Sequence, residues 1–211
     1  MNCKLVGQYV QHIEVTLSPR EEFFAEKGSV IYLEAGVDKD LALNGSGLGR
    51  IFGAKLSGES IFILRLINNT NMPRKVVIGS HCGLLPIKIN GETLICKRGA
   101  YVGSNNRVDV STKISIAGLT GGMGLFLQKI QGYATVFLDT IGQPIVLNLQ
   151  PGETIEIDEE HVIALQGNDE SQMQSNWSLS NILGGEGLSM LRVTGPGTVY
   201  LSPGKAMLLS V

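Results

Sequence analysis

Histidine and cysteine are scarce in this 211-residue chain, with three of each. Cys3, Cys82 and Cys96 are an odd, irregularly spaced set, which is a poor disulfide framework and points to a reducing compartment. His12, His81 and His161 stand far apart, so the His-x-His pair of a metal-binding jelly roll is missing. Charge is thin as well: Asp, Glu, Lys and Arg make up 17% of the residues, and the net charge is −2. There is no basic excess or stripe of the kind that grips nucleic acid. No uncharged apolar run has the length of a membrane span. The best stretch, 118–127, is short and glycine-rich, and the N-terminus lacks the apolar core of a signal peptide. The expectation is a cytoplasmic protein with no cofactor, no metal and no transmembrane segment. Helical periods with caps are missing too, and only residues 179–183 suggest a turn of helix.

What is present is apolar alternation and glycine: 43% apolar residues and 27 glycines, which imply an all-β chain with many turns. Three hairpins share one pattern, at 57–68, 121–138 and 184–201. Their leading glycines, Gly58, Gly122 and Gly185, lie 64 and 63 residues apart. Ten residues beyond each stands Asn68, Gly132 or Gly195, three positions expected to share one left-handed turn conformation. Seven residues beyond stands a cation: Arg65, Lys129 or Arg192. The segments before the hairpins also correspond. A strand over 9–17, with Ile13, Val15 and Leu17 on one face, leads to the turn Ser18-Pro19-Arg20-Glu21 and to strands at 23–25 and 29–33. Ile87-Lys88-Ile89 leads to Asn90-Gly91-Glu92, and Leu147-Asn148-Leu149 to Pro151-Gly152-Glu153. Glu21, Glu92 and Glu153 therefore correspond, and beside such turns they read as turn chemistry rather than catalysis. The division implied is 1–83, 84–144 and 145–211.

Few residues offer chemistry. Asp158-Glu159-Glu160-His161 could supply metal ligands, but neighbours on a strand point to opposite faces, so a solvated acidic turn is the plainer reading. His81-Cys82 with Cys96 has the types of a base and a nucleophile, yet Cys96 sits in an apolar strand. Gly45-x-Gly47-x-Gly49 fails the dinucleotide pattern, because Arg50 takes the third glycine's place. Arg65, Lys129 and Arg192 are either strand-end cations paired with glutamates such as Glu59 or Glu186, or one rim that holds an anionic ligand or partner.

The runs Gly47-Leu48-Gly49-Arg50 with 57–62, Leu94-Ile95-Cys96-Lys97-Arg98-Gly99-Ala100-Tyr101, Phe126-Leu127-Gln128-Lys129, Gly132 with 135–138, and 184–201 resemble the altered-inheritance-of-mitochondria family, long known as a domain of unknown function. They cover nearly the whole chain in order. Glu160 departs from the pattern, standing where many members have a glycine. The resemblance implies three units folded like the tryptophan RNA-binding attenuation protein (TRAP), each a short double-stranded β-helix or jelly-roll-like sandwich. It implies a homotrimer with a pseudo-ninefold ring. Eukaryotic relatives are linked to mitochondrial inner-membrane organisation, but no transit peptide is evident here. The function expected is a non-catalytic, ring-forming scaffold or binding protein with an unknown protein or small anionic partner. A ligand-responsive RNA-binding ring and a cupin-like enzyme are the alternatives.

Overall fold

Alternating residues become strands from the first segment onward. The computed structural model describes residues 1–42, 63–116, 125–167, 178–180 and 190–205. The first segment holds β1 (Asn2–Val6), β2 (His12–Leu17), β3 (Glu22–Glu26), β4 (Val30–Leu33), β5 (Val37–Ala42), β6 (Ile63–Asn68) and β7 (Arg74–Gly79). The second holds β8 (Gly83–Asn90), β9 (Thr93–Lys97), β10 (Tyr101–Ser104), β11 (Val108–Ile116) and β12 (Leu125–Thr140). The third holds β13 (Ile145–Leu149), β14 (Thr154–Asp158), β15 (Val162–Gly167), β16 (Ser178–Ser180), β17 (Met190–Thr194) and β18 (Gly197–Leu201). All pairings are antiparallel. Among the described residues there is no α-helix, only 3-10 turns at Lys27–Ser29 and Glu159–His161.

The same four pairings occur in each segment. In the first they are β2 with β7, β7 with β4, β3 with β6, and β6 with β5. In the third they are β13 with β18, β18 with β15, β14 with β17, and β17 with β16. In the second, the 16-residue β12 serves as both inner strands: its first half pairs β9 and β11, and its second half pairs β8 and β10. Even the irregularities agree. A register shift falls between Val30 and Tyr32, between Tyr101 and Gly103, and between Val162 and Ala164.

Burial follows the alternation. Ile13, Val15 and Leu17 are fully buried, as the pattern of β2 requires, whereas Tyr9 and Val10 lie outside the strand and are exposed. One core joins β8, β9, β10 and β12 through Ile87, Leu94, Tyr101 and Ile130, with Phe24 and Ile163 reaching in from the flanking segments. A second packs around Phe23, Leu66 and Ile78, and a third around Ile157, Leu191 and Val199. The suggestion of helix at 179–183 is corrected where it is described: Leu179 belongs to β16, opposite Leu191 of β17.

The three turns carry one hydrogen-bond scheme. Glu21 Oε2 accepts from Ser18 N–H at 2.8 Å, Glu92 Oε2 from Asn90 N–H at 2.8 Å, and Glu153 Oε2 from Gln150 N–H at 2.9 Å. The residue before each glutamate is left-handed: φ is 68° at Arg20, 100° at Gly91 and 82° at Gly152. The reading of these glutamates as turn chemistry holds.

Candidate functional site

Two junctions bring strands of all three segments into one 11-stranded sheet. β10 pairs β3, with Gly103 opposite Ala25 and Ser104 opposite Phe24. β15 pairs β9, with Ala164 opposite Cys96 and Leu165 opposite Ile95. The matching strands at the two chain ends are β4 and β14, and among the described residues their outer edges carry no strand. At the inner junctions Val102 and Ile163 are 5% and 3% exposed; the matching Ile31 of β4 is 60% exposed and Tyr32 46%. Phe24 and Ile95 are buried, whereas the matching Glu156 of β14 is exposed. Open main-chain donors and acceptors flanked by apolar side chains form a template for another strand.

The expected turn set divides. Gly58, Gly122 and Gly185 lie outside the described residues. Gly132 has φ +146°. Asn68 and Gly195 are not left-handed, and that expectation is corrected. Asn68 is fully buried and held by its amide: Nδ2 donates to Leu17 O and Met72 O at 2.9 and 2.8 Å, while Oδ1 accepts from Thr70 N–H at 2.9 Å. Gly195 answers to space, because a Cβ there would meet Gln150 O at 2.4 Å and Leu149 Cβ at 2.7 Å. What the three positions share is a main-chain contact across the turn: Asn68 O accepts from Arg20 N–H, Gly132 O from Gly91 N–H and Gly195 O from Gly152 N–H.

Arg65, Lys129 and Arg192 occupy one register, opposite Phe24, Ile95 and Glu156 respectively. Arg65 pairs with Glu22 and, at 3.6 Å, with Asp40. The hydrogen bond from Arg65 holds the Glu22 carboxyl below the usual carboxylate range and raises the guanidinium in turn. Arg192 pairs with Glu156 at 2.7 Å. The carboxylates engaged come from the neighbouring strand; Glu59 and Glu186 lie outside the described residues, as do Gly45, Gly47, Gly49 and Arg50.

The acidic turn is tied down locally. Asp158 caps the 3-10 turn by accepting from Glu160 N–H at 3.0 Å, and Lys205 bridges Asp158 and Glu160 at 2.7 and 2.9 Å. Burial would raise the Asp158 carboxyl, but its bonds from Lys205 and Glu160 N–H prevail and lower it. His161 meets Ser202 O through Nδ1 at 2.6 Å. Glu160 has no left-handed φ, so the family's glycine is not required there. Cys96 is completely buried, and burial pushes its thiol up to about 12; Cys3 is pushed up to about 11. His81 is clamped to Asp139, Nδ1 to Oδ2, at 2.6 Å.

The sequence pattern of the family described as mitochondrial biogenesis AIM24 matches residues 3–204. The chain belongs to that family. The AIM24 fold is shared with an X-ray crystal structure from Streptococcus pyogenes, at 21% identity and a TM-score of 0.72, over 97% of this chain and 94% of that one. No curated protein matches the sequence. No described helix of this AIM24 chain is long and apolar enough to cross a membrane, which says nothing of strands.

Proposed function

We propose that this AIM24 chain is a non-catalytic, ring-forming scaffold or binding protein built of three TRAP-like units, 1–83, 84–144 and 145–211. One observation carries the reading: among the described residues, β4 and β14 are open where their counterparts make the two inner junctions. Repeating the inner register puts Tyr32 of one copy opposite Ile157 of the next, and Leu33 opposite Glu156. Such a head-to-tail contact is heterologous, and it forms a ring when its rotation closes. The family resemblance supplies the number of copies, three, and hence nine units. The burial and high pKa of Cys96 support the non-catalytic part, since a protonated, inaccessible thiol is no nucleophile.

Native mass spectrometry tests this directly. The expected species is a trimer of the 22.6 kDa chain. Tyr32→Lys, at a side chain half-exposed in the single chain, should give monomers whose circular dichroism is unchanged. A wild-type monomer would refute the ring.

A further inference from the structure

At the register where β3, β9 and β14 face the inner strands, Ala25 lies opposite Leu64 and Ile157 opposite Leu191. The middle segment breaks this apolar pattern, with Cys96 opposite Gln128. Gln128 is 2% exposed, and its Oε1 is buried with no hydrogen-bond partner. A buried amide oxygen without a donor leaves its desolvation uncompensated, so a cavity beside it invites a group that supplies one.

Such a cavity is there. Gln128 lines a cleft of about 580 Å³ between the first and second segments. That volume lies within the range of small-molecule sites. One wall is the 3-10 turn with Glu26, Gly28 and Ser29, and another is the turn at Arg98 and Gly99; Val30, Ile31 and Val102 add apolar surface. Glu26 brings a second acceptor: its Oε2 takes Gly28 N–H at 2.5 Å, and a carboxylate has capacity for more than one donor. The cleft also departs from the repeat. Where it has Arg98 and Gly99, the third segment has Glu159 and Glu160 before His161, and where it has Gln128 the third has Leu191. This polar lining therefore occurs once per chain among the described residues.

We propose that this cleft is a binding site for a small organic molecule with an N–H donor head, a primary amine or primary amide, on a short apolar body. The head gives its hydrogens to Gln128 Oε1 and Glu26, and the body lies against Val30, Ile31 and Val102. Its polar groups, Gln128 and Glu26, belong to one chain, but Ile31 also borders the β4 edge used by the ring, so titrating wild-type and Tyr32→Lys protein side by side tells a failure of the ring from a failure of the site.

The test is titration of the full-length protein with n-butylamine, n-butyramide and sodium n-butyrate, followed by chemical shifts of a ¹⁵N-labelled sample. Butylamine or butyramide should shift resonances of the cleft residues, including the Gln128 side-chain amide, and butyrate should not. Gln128→Leu, which restores the residue type found at 64 and 191, should weaken binding about tenfold, the worth of one lost hydrogen bond. Gln128→Met, similar in length and unbranched, is the second variant should leucine disturb packing. Equal shifts with butyrate, affinity unchanged in both variants, or no shift with any probe at millimolar concentration would overturn the proposal and leave a water-filled cleft.

Discussion

Glu156 on β14 accepts from Nη2 of Arg192 at 2.7 Å, directly across the β14–β17 pair. The pair holds the last inner strand to the strand whose other edge is open among the described residues. It also fixes Glu156 at the position where Phe24 and Ile95 meet a neighbouring strand.

The ring register makes a geometric prediction. Leu33 and Glu156 of adjacent copies should have Cβ atoms about 4.5–5.5 Å apart. Leu33→Cys with Glu156→Cys should therefore form oxidised multimers that resist denaturing electrophoresis, while either single variant and the wild type do not. Cross-linking in the wild type would point instead to the natural thiols, and no cross-link in the double variant would exclude this register.

Asn68 tests the turn. Were it present for a left-handed φ, Asn68→Gly would be neutral or stabilising. Because its amide instead makes buried bonds to Leu17, Met72 and Thr70, the substitution should cost about 1–3 kcal/mol in urea unfolding.

Acid should loosen the fold through identified carboxylates. Glu21 is lowered chiefly by the N-terminal ammonium and Glu22 by Arg65. Burial tends to raise Glu92, but hydrogen bonds from its own and Asn90's N–H prevail and lower it. A carboxyl lowered on folding contributes stability that is present above its unfolded pKa and lost as pH falls through its folded one. The melting temperature should thus hold steady above about pH 5 and fall below about pH 4. Glu22→Gln should flatten part of that decline, and an unchanged slope would remove Glu22 from the account.

The three register cations are testable together. Arg65→Gln, Lys129→Gln and Arg192→Gln combined should leave the assembly intact, since exposed pairs contribute about 0–1 kcal/mol each. Retained assembly with lost affinity for a polyanion such as heparin, read by retention on a column, would identify them as an anion-holding rim. Dissociation would mark them as structural.

Much of this was legible in the chain. Alternation at 13, 15 and 17, the turn glutamates and the spacing of the three repeats depend on periods and neighbours within a few residues, so the sequence alone determined an all-β chain with one pattern used three times. The hairpins expected inside those repeats are corrected: β6 and β7, and likewise β17 and β18, pair with other strands rather than with each other, and β12 runs on as one strand. It also determined the shared register of Arg65, Lys129 and Arg192. It did not determine why Asn68 and Gly195 are where they are: one answers to carbonyls at positions 17 and 72, the other to the space left by Leu149 and Gln150. Nor did it mark Gln128, whose polarity matters only once residues from the first and second segments enclose a cleft around it. Tertiary structure decided which edges are covered and which are open, because strand pairing between segments joins residues far apart in sequence, and no local period records it.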